Sequence, residues 1–503
     1  MSSTLIIALI AVYFIFLLVL SKITSRNASN TDFFLAGKNA PWYLVAFGMI
    51  GTSLSGITFI SIPGRVGDVT DQFSYMQMVL GYFVGYIFIA YVLMPIYYRL
   101  QVTSIYTYLD ERFGFSAYKT GAFYFLLSRT LGSAIRLLLV ANVLQAFLFD
   151  ALGFPFIATV AISILLIWVY TAKGGMKTII WTDTLQTTFM MVALVISIIL
   201  LSKALTSETG ESLTQLLSNS HMTQWFFFDD FAMSKHHFLK EFIGGFFITI
   251  GMTGMDQDMM QKNLACKNLR EAQKNMLSFA AVLTVVNLLF LTLGVLLFLY
   301  SASEQLAVPT DALGNMRTDL LFPEIALRSE LSGAIGIFFL IGLIAAAYSS
   351  ADGALTALTT SVCVDFLNIQ EREEKQRERL RKTVHVAMSV VLFVVIIILH
   401  YSLNLSAINQ LIFLAGFTYG PLIGLFGFGL LSRKRAQPWV YPVVAVLTPI
   451  VTWFANTAAI ESKSFTFSSL LIAFNAVLTL LLLAFGAQLF PEIKRITEGD
   501  SRN

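Results

Sequence analysis

The sequence predicts an all-α polytopic membrane protein with about thirteen transmembrane helices, two of them broken near mid-membrane. Composition is the first reason: 56% of the 503 residues are hydrophobic and 13% are charged, too apolar a balance for a water-soluble domain. Apolar windows of about twenty residues, recurring along the whole chain, are the second. The third is a pair of interruptions, Gly51-Thr52-Ser53-Leu54-Ser55-Gly56 and Gly251-Met252-Thr253-Gly254-Met255-Asp256-Gln257-Asp258. Each sets glycine and hydroxyl or carboxylate residues inside an apolar span. Unwound backbone at that depth needs a partner, and matching breaks in two halves of a chain are the mark of a binding site at the bilayer centre.

Taken in order, the spans run over residues 4–22, 41–62, 74–98, 120–149, 154–172, 180–204, 240–260, 275–300, 333–364, 383–402, 405–431, 438–459 and 466–489. The first resembles a signal peptide only in length, because Lys22 and Arg26 follow the apolar run instead of preceding it. It reads as an uncleaved helix. With the N-terminus outside, most of the 33 Lys and Arg residues fall in inner connections, including Lys262, Lys267, Arg270 and Lys274 and the run from Arg372 to Lys382. This imbalance orients the chain N-outside and C-inside.

The segments outside the membrane are short. Thr206 to Leu239, with Trp225-Phe226-Phe227-Phe228, reads as an outer loop bearing an interfacial aromatic patch. Glu371 to Lys382 pairs Glu371 with Lys375 and Glu378 with Lys382 and reads as a solvated extension of the preceding helix. The whole chain, 1–503, is one transmembrane domain: 1–40 as an N-terminal flanking helix and loop, 41–204 and 240–431 as two halves, and 438–503 as C-terminal flanking helices. A net charge of +3 on this apolar background implies no nucleic-acid partner. Cys266 and Cys363 read as free thiols. No P-loop, HExxH or Cys/His metal pattern occurs, and no nucleophile-base constellation marks an enzyme.

Several motifs occur in a fixed order. They are Asp32-Phe33-Phe34-Leu35-Ala36-Gly37, Tyr108-Leu109-Asp110-Glu111-Arg112-Phe113-Gly114, Gly174-Gly175-Met176 leading into Trp181-Thr182-Asp183-Thr184-Leu185-Gln186, Asp256-Gln257 with Gln261, and Ser349-Ser350. Together they resemble the sodium:solute symporter family from about residue 30 to residue 435. That resemblance implies a LeuT-type core of ten helices in two inverted five-helix repeats, with the first and sixth core helices broken, in a bacterial inner membrane. It also implies Na+ as the coupling ion, with a small solute, sodium and membrane lipid as partners. The principal sodium site of the family corresponds to Gly51, Leu54, Ala346, Ser349 and Ser350. Neutral oxygens suit so hard an ion, although Ala346, Ser349, Ser350, Gly353 and Ala357 also read as a small-residue stripe for close helix packing. Family members with paired hydroxyls there and an aspartate at Asp183 resemble two-sodium transporters, which makes Asp183, Ser349 and Ser350 a second site. Pairing of Asp183 with Lys177, or capping of its own helix, is the other reading.

Solute contacts are expected from the broken helices and their neighbours: Ser53, Ser55, Thr58, Gln77, Asp256 and Gln257, with Asp258 at the position of a gate. Arg129 and Arg136 lie seven apart on one helix face inside a span, and a guanidinium there must meet a carboxylate or carbonyls. Arg136 suits a substrate carboxylate, or an internal pair with Asp183 or Asp256. Sialic-acid members resemble the chain at Ser55, Thr58 and Gln77 and in carrying an arginine in this helix. Sugar-transporting members differ at Gln77, Asp256 and Asp258. Asp256 and Asp258 fit a proton, an amine or an internal arginine. The resemblance therefore implies sodium-coupled import of a small organic anion such as sialic acid by alternating access, with sugar, polyol or vitamin symport and proton-coupled carriage as alternatives.

Overall fold

A computed structural model of the chain describes residues 3–26, 30–172, 175–310, 314, 316–328, 332–402 and 407–492. The helices follow from the apolar runs, because peptide groups in hydrocarbon have only their own segment to bond. In chain order the main helices are α1 (Ser3–Thr24), α2 (Trp42–Ser53), α3 (Gly56–Arg65), α4 (Tyr75–Leu100), α5 (Phe115–Leu144), α6 (Phe156–Thr171), α7 (Gly175–Thr209) and α8 (Phe238–Gly254). There follow α9 (Gln257–Leu264), α10 (Leu269–Ser303), α11 (Ser332–Ser361), α12 (Glu374–Ser402), α13 (Ala407–Leu431), α14 (Val440–Glu461) and α15 (Leu471–Leu489). Among the described residues nine helices are long and apolar enough to cross a membrane, or up to 11 if each bent pair is one span. The apolar part of α1 and the whole of α6 are shorter, and they lie where the first and fifth spans are predicted. Gly174 of the Gly174-Gly175-Met176 motif, the start of the predicted eleventh span and the terminal residues from 493 onward lie outside the described residues.

Both breaks occur where the sequence places them. α2 and α3 meet at 61°, α8 and α9 at 64°. At the first, Leu54 (φ −83°, ψ 81°) and Ser55 (φ −72°, ψ 175°) leave the helix; Leu54 still donates to the Ile50 carbonyl at 2.8 Å, and the carbonyls after it are left past the last helical bond of α2. Ser55 begins α3 without using its hydroxyl as a cap. At the second, the π-helical turn Ile250–Gly254 precedes Asp256, whose carboxylate accepts the N–H groups of Asp258 (3.0 Å) and Met259 (3.3 Å) and caps α9.

The broken helices lie between two sets of neighbours. α4 packs along α8, and α10 packs on α2, α3 and α4; on the other side α5 and α12 pack on α11, while α7 runs against both α2 and α11. Gly51 permits the closest approach. Its N–H donates to Thr187 Oγ1 at 3.0 Å, and a β-carbon on it would lie 3.2 Å from Ser349 Oγ.

Two expectations are corrected. The charged run begins α12 instead of extending α11: Asn368, in the left-handed region at φ 46°, and extended Arg372 end the preceding segment, so Glu371 shares no helix with Lys375. Glu378 and Lys382 do pair, at 2.6 Å. Lys262 is no loop charge either; it belongs to α9 and is 1% exposed. Cys266 and Cys363 are free thiols, both buried.

Candidate functional site

Beside the first break lies an open cavity with both polar and apolar lining. Ser53, Leu54, Ser55 and Thr58 line it from the break, and Arg129 and Arg136 line it from α5. Tyr75, Tyr82 and Tyr86 of α4, Thr249, Met252 and Thr253 of α8, and Asn287 of α10 complete its wall. These last residues are absent from the predicted set. Their spacing carried the signal, since Tyr75, Tyr82 and Tyr86 recur at helical intervals on one face, as do Thr249 and Thr253.

The two arginines are held differently. Arg129 pairs with Asp258 through Nη2 and with Asp256 through Nη1 at 3.5 Å, and Tyr419 donates its hydroxyl to Asp256 at 3.1 Å. This supplies the partner that Asp256 and Asp258 lacked in the sequence, and of the readings left open it is the internal arginine. Arg136 has no such partner. Its Nη1 lies 3.5 Å from Ser350 Oγ, its Nε is buried without an acceptor, and no carboxylate among the described residues forms an ion pair with it.

Asp183 stands at the centre of a second network. Its Oδ1 accepts the Ser349 hydroxyl at 2.6 Å and its Oδ2 the Thr52 hydroxyl at 3.0 Å. Lys262 Nζ lies 2.8 Å from the same Oδ2, 3.4 Å from Asp258 Oδ1, and donates to Thr52 Oγ1. Asp183 thus pairs with Lys262, a partner the sequence reading counted among the inner connections. The Asp258-Lys262 spacing of four residues would have shown it had the stretch been read as helix. Gly51, Leu54, Ala346, Ser349 and Ser350 of the principal sodium set are all buried; α2, which ends at the first break, packs on α11, and a β-carbon on Gly51 would lie 3.2 Å from Ser349 Oγ.

Other expected residues face elsewhere. Gln77 bonds to the carbonyls of Ser74 (3.3 Å) and His236 (2.9 Å) and accepts the Phe227 N–H at 3.1 Å, so it fastens the outer loop and does not line the cavity. Gln257 donates to the Thr103 carbonyl at 2.7 Å and accepts the Ile105 N–H at 3.1 Å, which clamps α9 to the loop after α4. Asp256 and Asp258 are spent on Arg129, Tyr419 and Lys262 and do not line the cavity.

The profile of the sodium:solute symporter family matches residues 33–434, most of the chain. The chain belongs to that family. It is a transporter and not an enzyme, an integral membrane protein of a sodium-coupled class. Among curated relatives it is similar to the sodium/sialic acid symporter NanT of Aliivibrio fischeri, 26% identical over 85% of this chain and 83% of that one. It is also similar to the sodium-coupled monocarboxylate transporter 1 of Mus musculus, 26% identical over 80% of this chain and 64% of that one. A substrate-bound, outward-open structure of a Na+-coupled sialic acid symporter shares the fold, with a TM-score of 0.77 at 21% identity over 97% of this chain and 98% of that one. Mhp1, a nucleobase-cation-symport-1 family transporter, shares it at a TM-score of 0.58 and 15% identity over 94% of this chain and 98% of its own. The symporter's fold is thus the broken-helix fold expected from its sequence.

Proposed function

We propose that this symporter imports a small, hydroxyl-bearing organic anion, of the sialic acid or monocarboxylate type, together with sodium. The observation that carries the reading is Arg136, a buried guanidinium on the cavity wall that forms no ion pair with a carboxylate among the described residues. A substrate carboxylate can take both of its outward donors at once. The hydroxyls of Ser53, Ser55, Thr58, Thr249 and Thr253 and the amide of Asn287 line the same cavity and suit a polyhydroxylated acid better than a purely apolar one. Sodium is assigned to Gly51, Leu54, Ala346, Ser349 and Ser350, of which Gly51 and Leu54 stand at the first break and Ser349 and Ser350 would add hydroxyl oxygens. We take 41–204 and 240–431 as the two repeats, with the N-terminus outside, the C-terminus cytoplasmic, and a bacterial plasma membrane as the site of action.

One sodium ion moving through about 100 mV releases roughly 2.3 kcal/mol. A tenfold sodium gradient adds about 1.4 kcal/mol. Together these support solute accumulation of several hundredfold. A second reading, proton coupling, is favoured by Asp352: its carboxylate is buried, accepts the Tyr170 hydroxyl at 2.8 Å and its neighbour's N–H, and among the described residues forms no ion pair.

Uptake of N-acetylneuraminate and of lactate into proteoliposomes, under an inward gradient of Na+ or of K+, tests both readings. Accumulation should need Na+, and the methyl ester of the substrate should be a poor competitor. Uptake indifferent to Na+ but driven by an acidic exterior would move the coupling to Asp352. Equal transport of a neutral hexose would overturn the assignment of Arg136.

A further inference from the structure

The ammonium of Lys262 lies against Asp183, the one carboxylate of the second sodium site that the family resemblance implies, on the oxygen opposite the one that Ser349 holds. We propose that Lys262 is a built-in cation at that position, so that each solute travels with one sodium ion bound at the principal site. The proposal rests on the sodium reading given above and deepens it.

Three elements frame the ammonium: Thr52 from α2, Asp183 from α7 at 2.8 Å and Asp258 from α9 at 3.4 Å. The ammonium thus holds, between two carboxylates and a hydroxyl, the kind of oxygen ligands that a hard cation also takes. Asp183 has little left to offer, since Ser349 occupies Oδ1 and Thr52 and Lys262 share Oδ2. A sodium ion placed there would share one buried carboxylate with an ammonium, and two desolvated like charges on one anion repel strongly. Lys262 cannot withdraw its head to water along its stem, as surface lysines do, because its neighbours Gln261 and Asn263 are buried with it.

Asp258 is itself fixed. Arg129 holds its other oxygen, and Gly353 lets its carboxylate lie against α11, where a β-carbon would come within 2.6 Å of Oδ1. The principal site keeps its ligands. Ser349 spends its only hydrogen on Asp183 and retains oxygen lone pairs for a cation, and the polar partners of Lys262 are Thr52, Asp183 and Asp258.

Equilibrium binding of radioactive sodium to the purified full chain, without solute and with choline chloride holding ionic strength, tests the proposal. The unaltered protein should bind one equivalent. Lys262→Met should bind two, and Lys262→Met combined with Asp183→Asn should return to one. Two equivalents in the unaltered protein would overturn the proposal, as would one equivalent in Lys262→Met of normal elution profile and melting temperature. Should Lys262→Met fail to fold, the count on the unaltered protein still decides. Zero equivalents there would remove the sodium reading itself and this proposal with it, a result distinct from two.

Discussion

Arg129 and Arg136 stand two turns apart on one face of α5, yet only Arg129 meets a carboxylate. The break between α8 and α9 makes the difference. It brings Asp256 and Asp258 to the level of the first guanidinium, so Arg129 braces the second broken helix from outside. One helical repeat further along, Arg136 faces the cavity and the Ser350 hydroxyl. On the proposed function, two identical side chains divide structure and recognition between them.

Arg136→Ala should therefore raise the KM for carboxylate solutes by 30-fold or more, about 2 kcal/mol for losing one side of a desolvated charge pair. Arg136→Lys should recover only part of this, because an ammonium lacks the bidentate fork. Uptake kinetics for the free acid and its methyl ester make the comparison. A variant that weakens both equally would show the arginine to be structural.

Replacing Arg129 should injure the fold before it injures recognition. Arg129→Met leaves Asp256 and one oxygen of Asp258 buried without their cation, a loss of about 3–5 kcal/mol. Melting in detergent should show a large drop, and adding Asp258→Asn should restore part of it. Full stability with an altered solute KM would reverse the division of labour between the two arginines.

At the proposed sodium site, Ser350→Ala removes one neutral oxygen ligand and costs Arg136 only a marginal contact at 3.5 Å. The half-saturating sodium concentration should rise about tenfold, near 1.4 kcal/mol, with melting in K+ unchanged. An unchanged sodium dependence at low Na+ would remove Ser350 from the ligand set.

How much of this was legible beforehand depends on the range of each interaction. The helices and both breaks are local properties of the chain, written in apolar length and in glycine placement; both breaks stand where the sequence put them, while nine to 11 of the thirteen expected spans are long and apolar enough to cross a membrane among the described residues. Ser53, Ser55, Thr58 and Arg136 were legible for the same reason, since each lies at or faces a break. Partner choice was not. Whether Asp256 meets Arg129 or a solute depends on contacts across more than a hundred residues, and Lys262 reads as a loop cation until α9 is known to fold inward. Gln77 shows the same limit: the outer loop, arriving from residues 227 and 236, claims its amide.

Gln77→Ala should accordingly loosen that loop. Two acceptors and one donor lose their partner, worth about 1–3 kcal/mol if they stay buried, and amide exchange across residues 224–237 should quicken. The solute KM should stay within about twofold, because only bonds to the loop are lost. A tenfold change in KM with unaltered exchange would return Gln77 to the solute site.

The same outer rim carries a pH signature. Asp71 receives Arg65 Nε at 2.7 Å, Arg65 Nη2 at 2.9 Å and the Ser74 hydroxyl at 2.5 Å. Burial alone would raise its pKa, but the Arg65 guanidinium outweighs burial and holds the carboxyl below the ordinary range. A group whose folded pKa is depressed contributes stability that is present above its unfolded value, about 3.9, and is lost as pH falls through the folded value. Asp71→Asn should therefore melt below the unaltered protein by a constant gap from pH 7 to about pH 5, with about 3 kcal/mol behind it as for a broken buried pair. Under about pH 4 the gap should close. A gap that instead widens on acidification would mean that the protonated form is the one the fold prefers.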